Sequence, residues 1–186
     1  VGFRRQSSFI LSAYRQYLQE GGHEDFNYLF NLENTGIIKK EELFFSERIR
    51  TLKRLFSRVF VYSQESLRSR PQDLVDALHA FLEVPQSSDL QVLPENRAVN
   101  ASVKSRFQVR MLRRLNQLNR QVSRIPMVPS MYGRLFRKLR ITPRDISQHY
   151  LKHVGKAAFT IDQGTRTFLE EHYAQDWEAV RLAVSY

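Results

Sequence analysis

The order of hydrophobic patterns along the chain predicts an α/β protein with a parallel sheet. Val1–Phe3 has the pattern of a buried strand that ends in a loop. Val59–Tyr62 is a second strand candidate, because it is too short for a helix and rich in branched and aromatic residues. A helical pattern follows each of them. Strands that alternate with helices favour a three-layer sandwich, in which helices cover a parallel sheet.

The helices are predicted from apolar residues that recur every three or four positions. In the first, Ile10, Tyr14 and Leu18 form one stripe, and two glycines end it. A short aromatic helix or loop is expected at Phe26–Leu32. The longer helices are expected at about 8–20, 40–56, 71–81 and 102–122. Three more are expected to start at Thr142, Thr165 and Asp176, with Asp176 as the cap of the last.

Composition limits the class of protein. The 186 residues are 42% hydrophobic, which is enough to bury the core of one domain. Charged side chains interrupt every apolar run before the roughly 18 residues that a membrane-spanning helix needs, so a soluble, cytoplasmic protein is expected. The chain has no cysteine, which excludes disulfides, thiolate metal sites and cysteine nucleophiles.

Positive charge is concentrated in the second half of the chain. The net charge is +10, and no acidic residue occurs between Asn96 and Arg144. A positive face is therefore predicted. Such a face attracts phosphate, sulfate, acidic sugars or nucleic acid, and it does not by itself choose among them.

A candidate anion site lies at the N-terminus. Arg4 follows the first predicted strand, Ser12 comes eight residues later, and Tyr14 two residues after that. A guanidinium grips a phosphate through two parallel hydrogen bonds, and a serine hydroxyl on the following helix adds another. This spacing resembles the 3′-phosphate-binding motif of sulfotransferases that use 3′-phosphoadenosine-5′-phosphosulfate as donor.

The resemblance continues through Leu52–Leu67 and ends at Pro85, after a Phe-Leu turn at Phe81. It implies a parallel sheet of the nucleotide-kinase-like P-loop type, of which this chain holds the later strands and a helical C-terminal region. The chain departs from the family pattern in three places: Gln6 replaces a proline, Phe9 an arginine and Glu83 a glycine. The family's 5′-phosphosulfate loop and catalytic base are expected upstream of Val1.

The resemblance implies an enzyme that transfers a sulfuryl group to a hydroxyl or amine of a small-molecule or glycan acceptor. No metal is expected, and the chain offers no assigned catalytic residue. Arg4 and Ser12 are the main candidates for binding the donor. By the same resemblance, five further residues are expected near the nucleotide: Tyr62, Gln64, Arg97, Lys104 and Arg106.

The chain is expected to be one domain, residues 1–186, with an α/β part at 1–85 and a basic, mostly helical part at 86–186.

Two alternatives to an active sulfotransferase remain open at this point. Residues 96–144 also suit a non-enzymatic helical module that binds nucleic acid or another polyanion, although they carry no recognised nucleic-acid motif. Nucleic acid is therefore not the expected partner. A relative that has lost activity is a third interpretation.

Overall fold

The computed structural model describes residues 1–85, 105–122 and 157–184. The predicted helix at Thr142 lies outside these residues. The described part is mostly helical. Its elements are β1 Gly2–Phe3, α1 Gln6–Gln19, α2 Phe26–Leu29, a 3₁₀ turn Lys40–Leu43, α3 Phe45–Leu55, β2 Tyr62–Ser63, α4 Gln64–Ser69, α5 Pro71–Leu82, α6 Arg106–Val122, α7 Gln163–His172 and α8 Ala174–Leu182.

The two strands pair in parallel, as predicted. Gly2 is opposite Tyr62 and Phe3 is opposite Ser63. The strand predicted at Val59–Tyr62 is therefore wrong in its bounds, since β2 begins only at Tyr62. Phe60 and Val61 are buried before β2 begins, which explains their strand-like composition, and the N-terminal amine of Val1 donates to the carbonyl of Phe60. In the described residues the sheet has these two strands only, so a parallel strand pair within a mostly helical structure is shown and the three-layer sandwich is not.

A side chain at Gly2 would meet the ring of Tyr62, its partner in the sheet. A Cβ atom built at this position would lie 2.5 Å from the Cζ atom of Tyr62. The Tyr62 ring therefore occupies the space above Gly2, and it also packs against Phe60 at a centroid distance of 6.4 Å. Any side chain at position 2 would displace this ring.

The chain divides into two compact units, and α1 contributes to both. Unit 1 comprises Val1–Phe9, Ile38–Arg97 and Gln163–Tyr186. Unit 2 comprises Ile10–Ile37 and Ala98–Asp162. Each unit is assembled from segments far apart in sequence, so its core depends on long-range contacts.

The centre of unit 1 is the carboxylate of Asp176, which is only 7% exposed. The backbone N–H groups of Phe45 and Ser46 donate to it at 3.0 and 3.0 Å. The side-chain amide of Gln6 donates to it at 2.9 Å and to the carbonyl of Leu43 at 3.1 Å. One carboxylate thus joins α8, the start of α3 and the start of α1.

The expectation that Asp176 caps its own helix is wrong. Helix α8 begins at Ala174, two residues earlier, with Tyr173 at its cap position. Asp176 instead accepts from the first N–H groups of α3, whose cap residue Phe44 supplies no side-chain hydrogen bond. The free N–H groups at a helix start need an acceptor, and a remote carboxylate provides it here.

In unit 2 a buried polar side chain on another helix, Asn116, forms hydrogen bonds to the end of α1. The predicted stripe is confirmed, since Ile10, Tyr14 and Leu18 are all buried. The side-chain amide of Asn116 on α6 donates to the carbonyls of Leu18 and Gly22 at 2.8 and 2.7 Å. The carbonyl of Leu18 also accepts from the N–H of Gly21 at 3.2 Å, so the amide of Asn116 adds a second donor at the end of α1 and fixes the turn that follows it.

Other helix predictions are confirmed with shifted bounds. The short aromatic helix is α2, and α5 begins at Pro71 as expected. The pattern at 40–56 is interrupted, since a 3₁₀ turn ends at Leu43 and α3 starts at Phe45. Helix α7 begins at Gln163, two residues before Thr165. In the described ranges no helix is long and apolar enough to span a membrane.

We expect Asp176→Ala to lower the free energy of unfolding by about 3 kcal/mol, because it leaves two buried backbone N–H groups and the Gln6 amide without an acceptor. Asp176→Asn should cost less, because its carbonyl retains one acceptor oxygen. Urea denaturation followed by circular dichroism measures both. Glu178→Ala, at an exposed position on the same helix, is the control and should change stability by less than about 0.5 kcal/mol. Equal values for the alanine variants at 176 and 178 would contradict the role of Asp176.

Candidate functional site

A cleft lies beside the carboxyl ends of β1 and β2 in unit 1. Its volume is about 510 Å³, in the range typical of small-molecule sites. Arg4 and Arg5 follow β1, and Ser63 ends β2. Because the strands are parallel, their carboxyl ends meet at one edge, which is where open α/β sheets bind ligands.

One part of the cleft wall comes from the strand ends and α4. It includes Arg5, Ser63, Glu65, Ser66 and Arg70. The hydroxyl of Ser63 accepts from the backbone N–H of Ser66 at 3.0 Å and lies 2.7 Å from the Ser66 hydroxyl. This bond caps α4 and fixes both hydroxyls at the strand edge.

Arg5 supplies positive charge to this wall. Its backbone N–H donates to Glu65 Oε1 at 3.4 Å, while its exposed guanidinium makes no ion pair or hydrogen bond with the residues that the structure describes. Arg70 also lines the cleft and lies 3.6 Å from Asp73. A guanidinium without a carboxylate partner is available for an anionic ligand.

Arg4, the strongest candidate from the sequence, does not line the cleft but lies beside it. Its side chain is half-buried. Burial lowers the pKa of its guanidinium below the usual value, the charge of Arg68 lowers that pKa further, and Glu65 opposes the shift. The edge thus brings the half-buried guanidinium of Arg4 within electrostatic range of the exposed cation of Arg68, an arrangement that an anion would stabilise.

Three of the other predicted site residues, Tyr62, Gln64 and Ser12, do not come together around one ligand position in the structure. Tyr62 packs over Gly2, which favours a structural role for its ring. Gln64 is the first residue of α4, at the same edge as Arg4, and its Oε1 atom is buried without a hydrogen-bond partner in the described ranges. Ser12, half-buried on α1, belongs to unit 2 and not to the unit that contains the cleft.

The remaining three predicted residues are in the basic part of the chain. Arg106 is exposed at the start of α6, in unit 2. Arg97 and Lys104 lie outside the described residues. Within the described ranges, no group of three or more acidic or histidine side chains is placed to hold a metal ion.

The second part of the cleft wall comes from α7 and α8, which the sequence did not connect with a site. It includes Leu169, Tyr173 and Trp177. Tyr173 is buried, and its hydroxyl donates to the carbonyl of Lys40 at 2.9 Å. Trp177 is half-buried and follows Asp176 directly, so the buried carboxylate holds this aromatic surface in place.

The sequence analysis missed Arg5 and Trp177 as residues of the cleft. The sequence contains a signal for Arg5 but none for Trp177. Arg5 is adjacent to Arg4, and successive residues leaving a strand point to opposite sides, so one of the two was bound to face the cleft. Spacing alone does not say which one. Trp177 carries no local signal, because its position depends on contacts with segments far away in the chain.

Comparisons with protein-family models, curated proteins and solved structures gave no significant match to this chain. What the cleft can do is therefore argued from its side chains. They combine a free guanidinium, fixed hydroxyls and an aromatic wall, which suits an organic anion that carries a planar group.

Two buried tyrosines predict a loss of stability in alkali. Burial raises the pKa of Tyr14 and of Tyr173 to about 12, from an ordinary value of 10.0. The neutral phenols are favoured in the folded state, so their contribution is complete below pH 10 and is lost as the pH rises through 10 towards 12. Absorbance at about 295 nm should show late ionisation of two tyrosines, and Tyr173→Phe should remove one of them. Ionisation of all eight tyrosines near pH 10 in the folded protein would contradict this assignment.

Proposed function

We propose that the protein is a sulfotransferase that binds 3′-phosphoadenosine-5′-phosphosulfate at the cleft beside the strand ends. The observation that carries the proposal is the placement of two consecutive arginines, Arg4 and Arg5, after a parallel strand at the edge where the cleft opens. In this proposal β1 and β2 are the later strands of a P-loop-type sheet.

The charges at the edge support a phosphate ligand. Arg5 faces the cleft with a free guanidinium, and Arg4 is close to a second cation, Arg68. A phosphate bound here would relieve the repulsion between these cations and accept hydrogen bonds from Arg5. Ser63 and Ser66 add hydroxyl donors from the neighbouring strand end.

The reaction that follows is a direct displacement at sulfur. The acceptor oxygen or nitrogen forms a bond to the sulfur of the donor, and the bond between sulfur and the bridging oxygen of the 5′-phosphate breaks. The acceptor proton passes to a general base, and the electron pair stays on the leaving adenosine 3′,5′-bisphosphate. The residues of this chain are assigned to holding the nucleotide, and the base is not assigned to any of them.

Variants of the two edge arginines test the proposal. We expect Arg5→Ala to weaken the binding of adenosine 3′,5′-bisphosphate by about 2 to 4 kcal/mol, because it removes a charge-assisted contact. Arg4→Ala should weaken it less, because Arg4 lies beside the cleft and contributes through its charge. Adenosine 5′-monophosphate should bind the unaltered protein far more weakly, because it lacks the 3′-phosphate. Isothermal titration calorimetry measures these affinities.

Arg50→Ala is the matched control, since Arg50 is an exposed arginine of unit 1 that is paired with Glu47 on α3. It should bind the bisphosphate as the unaltered protein does. If the two edge variants also kept full affinity, or if the unaltered protein bound no bisphosphate, the assignment of the cleft to this donor would be wrong.

A second candidate function is supported by the exposed face of α6. Arg106, Arg110 and Arg114 are exposed and four residues apart, so they form one stripe. None of the three forms an ion pair within the part of the chain that the structure describes. A stripe of this kind suits a linear polyanion, so a non-enzymatic module that binds nucleic acid is the alternative.

The two functions differ in salt dependence. If nucleic acid is the partner, Arg106→Gln, Arg110→Gln and Arg114→Gln together should reduce the log–log salt slope for a single-stranded oligonucleotide by about 2. Fluorescence anisotropy at several salt concentrations measures this slope. Tight, steeply salt-dependent binding of the oligonucleotide, with no bisphosphate binding, would favour the alternative. Weak oligonucleotide binding that the triple variant leaves unchanged would argue against it.

A further inference from the structure

The cleft presents two chemically different sets of side chains. From the strand ends and α4 come Arg5, Ser66 and Arg70, which are cationic or hydrogen-bonding. From α7 and α8 come Leu169, Tyr173 and Trp177, which are mainly apolar or aromatic. A ligand that uses both sets must carry an anionic group and a planar or apolar group.

The α7 and α8 side of the cleft is not a second phosphate site. It contains two carboxylates, but each is paired with a cation on its own helix. Glu170 lies 3.3 Å from Arg166, and Glu178 lies 3.0 Å from Arg181, which also lines the cleft. These pairs are close to neutral, so this side offers a phosphate no net attraction comparable to that of Arg5.

Trp177 is the most exposed aromatic surface of this side. It is half-buried, whereas Tyr173 is buried and its hydroxyl is already bonded to Lys40. Its helix is fixed by the hydrogen bonds of the adjacent Asp176 to α1 and α3. A rigid aromatic face in a cleft binds planar rings by stacking, at little further cost in conformational entropy.

We propose that Trp177 is the base-stacking residue of the cleft, so that the ligand binds with its phosphate at Arg5 and its purine ring against Trp177. This inference rests on the proposed function, which supplies a ligand with both groups. It assigns recognition of the nucleotide base to the C-terminal helix α8, and it makes Trp177 a determinant of specificity between nucleotides and simple sugar phosphates.

The test compares two ligands that differ only in the base. Adenosine 3′,5′-bisphosphate and ribose 3,5-bisphosphate carry the same two phosphates. We expect Trp177→Leu to weaken binding of the adenosine compound about tenfold and to leave binding of the ribose compound unchanged, as measured by calorimetry. Trp177→Phe should retain most of the affinity because it keeps a stacking ring.

Intrinsic fluorescence gives a second readout, because Trp177 is the single tryptophan of the chain. The adenosine compound should quench its emission, and the ribose compound should not. Tyr28→Leu is the matched control, since Tyr28 is an exposed aromatic residue of unit 2. Thermal melting of each variant identifies any that fail to fold, and in that case Trp177→Phe and the quenching experiment still decide.

The outcomes separate the two proposals. Binding of both ligands with equal loss, or no loss, in Trp177→Leu would overturn the stacking role while leaving the proposed function intact. Failure of both ligands to bind the unaltered protein would overturn the proposed function and this inference with it. A tenfold loss confined to the adenosine compound would support both.

Discussion

The buried carboxylate of Asp176 is the interaction on which unit 1 depends. Removing a carboxylate from water is costly unless several donors replace the lost hydration. Three donors do so here, two from the start of α3 and one from Gln6. Because these bonds are charge-assisted and lie in a poorly solvated region, they hold the three elements more firmly than neutral bonds would.

The position of this carboxylate also determines the shape of the cleft. Gln6 follows directly after Arg5, and Trp177 follows directly after Asp176, so the bond between Gln6 and Asp176 connects the two sets of side chains that line it. A shift of α8 would move the aromatic side and the start of α1 together. The structural core and the candidate site are thus held by the same hydrogen bonds, and a variant of Asp176 affects both.

The sequence predicted what local periodicity determines and missed what distant partners determine. Helix α1 followed from the spacing of Ile10, Tyr14 and Leu18, because one apolar stripe is a property of a single segment. The cap of α3 did not follow, since Phe44 gives no capping signal and the acceptor comes from α8. The start of β2 was misjudged for a related reason, because an apolar run indicates burial and does not say where a strand begins. In the site, the sequence drew attention to the end of β1 through Arg4 but missed Arg5, and it missed the aromatic side, which depends on tertiary contacts.

The net charge of +10 says less about function than the local arrangement does. Long-range attraction increases the rate at which any polyanion arrives, and salt screens it within about 10 Å at moderate ionic strength. Selection among anions requires groups at fixed positions.

On α6 the arginines form an exposed stripe suited to a repeating polyanion, whereas the cleft combines one free guanidinium with ion-paired carboxylates and an aromatic face. A uniformly charged polymer would be attracted only to the side of the cleft that contains Arg5, because the opposite side is close to neutral. The cleft therefore favours a compact ligand with its charge at one end. That asymmetry is the physical reason for proposing a nucleotide, and not a nucleic acid, as a ligand of the cleft.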